Sequence, residues 1–104
     1  MRQMFALIYS QGPAWVEGRP ASQQPLGEHA DYIHGLFQQG KLIMAGPFTD
    51  DAGGLAVIEV DGAEEAANIM AGDPAVTSQI MTCEMHPFVR VPWEQYEQIK
   101  ARRS

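Results

Sequence analysis

Apolar side chains in this chain alternate between two spacings, and the order in which those spacings follow one another leaves few folds open. MFALIY (residues 4–9) is a short run of strand-forming residues. From Leu26 the spacing lengthens to three and four residues through His29, Ile33, Leu36 and Phe37, while Glu28, Asp31, Gln38 and Gln39 lie elsewhere on the turn. This predicts one helix ending at Gly40, a residue free to take the positive φ that often follows a helix. KLIMAGPF (41–48) predicts a strand, DDAGG (50–54) a hairpin connection and LAVIEV (55–60) the returning strand. A second helix follows, with Asp61 as N-cap, Glu64 three residues on, and Ala66, Ile69 and Met70 on the buried face. Gly72 and then Asp73-Pro74 end it. After a turn or short helix, QIMTCEMHPFVRV (79–91) predicts the last strand. Pro92 closes it, and WEQYEQIKARR predicts a tail helix over about 92–102, with Trp93, Tyr96 and Ile99 or Lys100 on one side.

The order β-α-β-β-α-β, plus a tail helix, is that of a split βαβ pair. It predicts an α+β fold, ferredoxin-like, with a four-stranded antiparallel sheet and both helices on one face. At 104 residues the chain is expected to be a single domain, 1–104, with a modest core. MFALIY and KLIMAG are apolar at odd and even positions alike, so both faces of the sheet call for cover. Two helices cover one. The simplest cover for the other is the same face of a second chain, which predicts a homodimer burying roughly 800 Å² per partner. The connection SQGPAWVEGRPASQQP carries Gly12, Pro13, Gly18, Pro20 and Pro25, which excludes a helix or a long strand over 10–25. Loops of that length in small domains are more often functional than idle, and Trp15 within it is too large and apolar to be left in water.

Composition narrows the partners. Thirteen acidic residues against seven basic ones give a net charge of −6, which argues against nucleic acid, whose affinity comes largely from Lys and Arg neutralising phosphates. Lys100, Arg102 and Arg103 instead suit the C-terminus of the tail helix. One cysteine excludes an intrachain disulfide. No basic leader with an apolar run and cleavage site occupies the first twenty residues, and no apolar run spans a bilayer, so a cytoplasmic, membrane-free protein is expected.

A metal set is equally unsupported: there are no cysteine pairs and no His-x-x-x-His. His34, five residues beyond His29, lies about 140° away around the helix. His86, with Glu84 two residues before it, reads as a cross-strand polar pair or an edge feature, and Cys83 as a small hydrophobe. No glycine-rich phosphate loop is present. No metal and no cofactor are expected, and any chemistry would be cofactor-independent.

Two residues remain. His29 sits on the apolar stripe of the first helix, where its commoner use is structural, one ring nitrogen donating to a backbone carbonyl; the other use is catalytic. Asp73 before Pro74 is a routine N-cap for a short helix, a role compatible with a second partner because a carboxylate has two oxygens. Asp50 and Asp51 read as turn formers, and Glu64, Glu65 and Glu97 as solvated helix surface.

From about residue 3 to 92 the chain resembles the YCII-related (YciI-like) family. The resemblance rests on the first strand, His29 with Tyr32, Gly40, the GPF of 46–48 and Asp51 with Gly53-Gly54. Glu65-Ala66, Asp73-Pro74 and a strand ending near Pro87 complete it, and GPAWVEGRP with QQP is similar to the loop of longer-looped members. It implies a ferredoxin-like fold paired as a dimeric α+β barrel. It also implies an active site in which a histidine and an aspartate, here His29 and Asp73, face one another. A few members act on ring compounds, which implies His/Asp-assisted proton transfer of lyase, dehydrochlorinase or isomerase type on a small cyclic or aromatic substrate. The chain departs from the common pattern after Asp73-Pro74: Ala75 replaces a bulky aromatic and no glycine follows before the last strand, which implies a different pocket wall there.

On this reading His29 points inward because the crevice between helix and sheet is a pocket. An imidazole with an ordinary pKa of roughly 6.5 is the acid or base, and Asp73 fixes its tautomer. By position, Trp15, Tyr32 and Phe48 are the candidate apolar, substrate-binding walls. The alternative is a non-catalytic dimeric module that binds a small molecule or stabilises a partner, with His29 and Asp73 as a structural hydrogen bond and a cap.

Overall fold

The computed structural model describes residues 1–103. Four strands, β1 (Gln3–Gln11), β2 (Leu42–Pro47), β3 (Gly53–Val60) and β4 (Met81–Phe88), form one antiparallel sheet in the order β2-β3-β1-β4. Between them run α1 (Gly27–Gln38), α2 (Ala63–Gly72) and the single-turn α3 (Pro74–Thr77), and α4 (Tyr96–Arg102) follows the sheet. This is the ferredoxin-like α+β arrangement expected from the order of spacings.

One face of the sheet carries the core. Phe5, Leu7 and Tyr9 of β1 and Ala56, Ile58 and Val60 of β3 meet Leu36 of α1, Ala66 and Ile69 of α2 and Ala75 of α3. The alternation is strict: Ala6 and Val57, paired across β1 and β3, point to the other face and lie outside that cluster. A bulge between Leu42 and Met44 sets two residues of β2 against one step of β3, so Leu42 packs toward the helices opposite Ile58 and Met44 toward the open face opposite Val57. Gly40 takes φ +74 after α1, as its position required. Gly53 is fixed more tightly still: a Cβ there would lie 1.8 Å from the Tyr9 carbonyl oxygen of the neighbouring strand.

Several expected boundaries shift. The N-cap of α2 is Gly62 rather than Asp61, with no side-chain cap; the helix starts one residue later, so Glu65 rather than Glu64 is placed to accept the Asp61 amide at 3.1 Å. The last strand stops at Phe88 and not at Val91, because Phe88 pairs with Met4 and β1 offers almost no backbone beyond it. The loop before α1 contains a 3-10 turn at Ala21–Gln23 where its prolines suggested no helical structure. Phe37, expected in the core, is 63% exposed on the flank of α1. No helix among the described residues is long and apolar enough to cross a membrane.

Candidate active site

Between the flank of α1 and the β2–β3 side of the sheet lies a cleft of about 560 Å³, in the range of small-molecule sites. Leu26, His29, Ile33 and Phe37 of and beside α1 form one wall, and Leu42, Ala45, Pro47 and Ala56 of the sheet another. Trp15 and Ala21–Ser22 of the loop close one end, with Tyr9 and Met81 on the core side.

The loop is held there by two side chains. Gln24, almost fully buried, accepts the Val16 amide at 2.8 Å and donates to the carbonyls of Val16 and Arg19, each at 3.0 Å. Asp51 accepts the Ala21 amide at 3.0 Å from the β2–β3 hairpin, a role beyond turn formation.

Four elements converge behind His29. Pro74 cannot continue α2 and biases the residue before it toward extended backbone, so Asp73 sits at φ −68, ψ 125 between α2 and α3. Its side chain is completely buried, which a carboxylate tolerates only when it is paired and hydrogen-bonded. Oδ1 accepts the Ala75 amide at 2.9 Å as the α3 cap, and Oδ2 accepts the Tyr9 hydroxyl at 2.7 Å. His29 Nδ1 lies 2.8 Å from Oδ1 and 2.9 Å from Oδ2. A carboxylate can only accept, so Nδ1 carries the proton and donates it, and Nε2 is the nitrogen left to exchange a proton with a molecule in the cleft. The cap and the imidazole partner are thus the same carboxylate.

Tyr9 holds this arrangement from below. Its ring meets His29 edge-on, with centroids 5.3 Å apart. Burial first, then the hydrogen bond to Asp73 and the charge of that carboxylate, push the Tyr9 hydroxyl far above the ordinary phenol range, so it remains a donor. Cys83 stands opposite Tyr9 on β4; burial, then the Asp73 charge, push its thiol up to about 11, which keeps it a packing residue.

Of the other expected site residues, Trp15 lines the cleft, but Tyr32 and Phe48 do not. Tyr32 faces α2 and donates to the Ile69 carbonyl at 2.8 Å, tying the two helices together. Phe48, in the hairpin, is 38% exposed. His34 reaches the rim of the same cleft as His29, stacked on Phe37, although the two are well apart around the helix; the cleft wraps the whole flank of α1. His86 and Glu84 pair at 3.4 Å on the exposed part of β4. Among the described residues no three His, Cys, Asp or Glu side chains gather as a metal set.

Sequence reasoning missed Tyr9 and Gln24. Tyr9 shares strand parity with Phe5 and Leu7, and a hydroxyl on that buried face needs a partner, which was the available signal. Nothing local marks Gln24.

The fold and the dyad together define a class: a small ferredoxin-like α+β protein whose buried carboxylate–imidazole pair opens on an apolar cleft. The YCII-related domain matches residues 4–88, and the chain belongs to that family. It is 42% identical over 57 residues to the uncharacterized protein YjpA of Bacillus subtilis (strain 168), a match covering 55% of this chain and 67% of that one. Among solved structures it is similar to 5-chloro-2-hydroxyhydroquinone dehydrochlorinase from Burkholderia phenoliruptrix AC1100 in complex with 2,5-dihydroxybenzoquinone. The TM-score is 0.60 at 21% identity, covering 84% of this chain and 95% of the other, and that likeness concerns the fold.

Proposed function

We infer that the chain is a small enzyme whose His29 transfers a proton to or from a cyclic or aromatic substrate, in a reaction of lyase, dehydrochlorinase or isomerase type. The observation that carries this is the division of labour on one ring: Nδ1 is committed to a carboxylate with no exposure, and the ring, 19% exposed, borders the cleft. Nε2 takes a proton from an activated carbon or a ring hydroxyl and becomes part of an imidazolium. Asp73 balances the new charge without moving. The electron pair released on the substrate expels a leaving group on a neighbouring carbon, or the proton returns at another position. Tyr9 and the Ala75 amide hold the Asp73 oxygens in place. Trp15 forms a wall, and Tyr32 acts through the α1–α2 contact that its hydroxyl makes. The dehydrochlorinase with the similar fold lends support to a ring substrate and to elimination.

The test is a turnover screen with halogenated hydroquinones and ring lactones, comparing the wild type with His29→Gln. General acid–base catalysis is worth about 10²–10⁴-fold, and a loss of that size is expected. Equal turnover by the two proteins would sink the proposal. One observation favours the non-catalytic reading: Asp73 also caps α3, so its bond to His29 could serve packing alone. Denaturant unfolding of His29→Ala separates the two: a packing role predicts marked destabilisation, whereas loss of a catalytic histidine leaves stability unchanged or raises it.

A further inference from the structure

The walls of the cleft restrict the charge of what it takes. Among the described residues no Lys, Arg, Asp or Glu lines it. The one side chain there that becomes cationic in the proposed reaction, His29, already has its counter-charge in Asp73 at 2.8 Å. The neighbouring hollow, on the other side of Trp15, is the reverse: Glu17, Arg19, Asp51 and Gln11 line it. Charge has therefore been placed outside the Trp15 wall and kept out of the cleft. Besides His29, His34 is the one lining side chain able to carry positive charge, and it is stacked on Phe37. Past it, a carboxylate or phosphate would lose its hydration without gaining a Lys, an Arg or a fork of donors, and would sit close to the Asp73 charge.

We propose that the ligand of the cleft is an uncharged ring compound carrying a hydroxyl or carbonyl group, and that carboxylated or phosphorylated rings are rejected. This rests on the reading of His29 as the group that meets the substrate. The volume of about 560 Å³ is within the range of small-molecule sites and has room for a substituted or fused ring. Discrimination arises from desolvation, so it appears in binding before any chemistry.

The full chain is titrated at about pH 8 with 2-naphthol and with 6-hydroxy-2-naphthoate, following the His29 and Trp15 signals by NMR. The neutral compound is expected to shift both residues and to bind at least about tenfold more tightly than its carboxylated counterpart. Ile33→Lys, which places a cation on the α1 wall, is expected to narrow or reverse that ratio; Ile33→Gln, equally polar and uncharged, is expected to leave it. Equal or tighter binding of the carboxylate to the wild type overturns the proposal, as does the absence of binding of either compound up to millimolar concentration. Selective binding of 2-naphthol that persists in His29→Gln, with no substrate turned over by the wild type, retains the charge rule and removes the proton-transfer reading instead.

Discussion

At the scale of single residues, Tyr9 decides how this site responds to substitution and to pH. Its hydroxyl satisfies a buried carboxylate, and hydrogen bonds to charged groups are worth about 1.5–3 kcal/mol, so Tyr9→Phe should lower stability by that amount in denaturant unfolding. The hydroxyl also titrates above its ordinary value because of burial and then Asp73. The unfolded chain releases that proton near pH 10 while the folded chain keeps it. Above about pH 10 the folded state therefore binds more protons, and stability falls as pH rises; below that the contribution is fully present. Tyr32, raised by burial and then by Asp73, and Cys83, raised to about 11, slope the same way. The melting temperature measured from pH 8 upward should fall steeply in the wild type and less steeply in Tyr9→Phe; identical slopes would show that Tyr9 is not the group responsible. Asp73 was legible in the sequence because Asp-Pro after a glycine is a local signal, and its capping bond forms within two residues. Its bond to Tyr9 spans a separation of 64 positions, and no local pattern encodes that.

At the scale of elements, the loop over 12–25 positions Trp15, and Gln24 positions the loop. A buried glutamine with three bonds to loop backbone leaves those groups unsatisfied when removed, which costs about 1–3 kcal/mol. Gln24→Ala, made in a Trp93→Phe background so that Trp15 alone is read, should shift Trp15 emission to the red and weaken ligand binding in the cleft. Unchanged emission and affinity would show that the loop is held by Asp51 and its neighbours without Gln24. β1, β3, α1 and α2 were readable because each turns apolar residues to the core at its own period, β2 was readable from its apolar run although none of its residues is buried, and even the end of α1 was visible in Gly40. The ends of β4 and the start of α2 were not, since these depend on where β1 runs out and on which residue meets the Gly62 turn. The cleft was anticipated as the reason for a histidine on an apolar stripe. Its walls were not, because Tyr32 and Phe48 were placed by proximity in sequence, whereas the helical phase turns Tyr32 toward α2.

At the scale of the whole molecule, the sheet has a layer on one face and none on the other. Met44 of β2 is 54% exposed there and Phe88 of β4 is 44% exposed, around the nearly covered pair Ala6 and Val57. The chain is also extended, with a radius of gyration of 15.8 Å where a compact chain of this length has about 13 Å, and dimensions of 52 × 28 × 21 Å. Much of the excess belongs to the segment after β4. Val89 and Trp93 are largely exposed there, and α4 packs chiefly on the 3-10 turn of Trp93–Gln95. Apolar groups on an open sheet and on an arm beside it gain if a second chain removes both from water, at about 25 cal/mol per Å². The expectation of a homodimer follows from that imbalance rather than from any one residue. Sedimentation equilibrium should return twice the chain mass at micromolar concentration. Met44→Glu changes a side chain that a single chain leaves exposed, so it should preserve the circular dichroism spectrum while charging the open face along its β2 edge and returning the mass of one chain. A wild type that sediments as one chain at about 100 µM, a concentration at which an interface of roughly 800 Å² per partner would associate, would mean that the open face is covered by something other than a second copy.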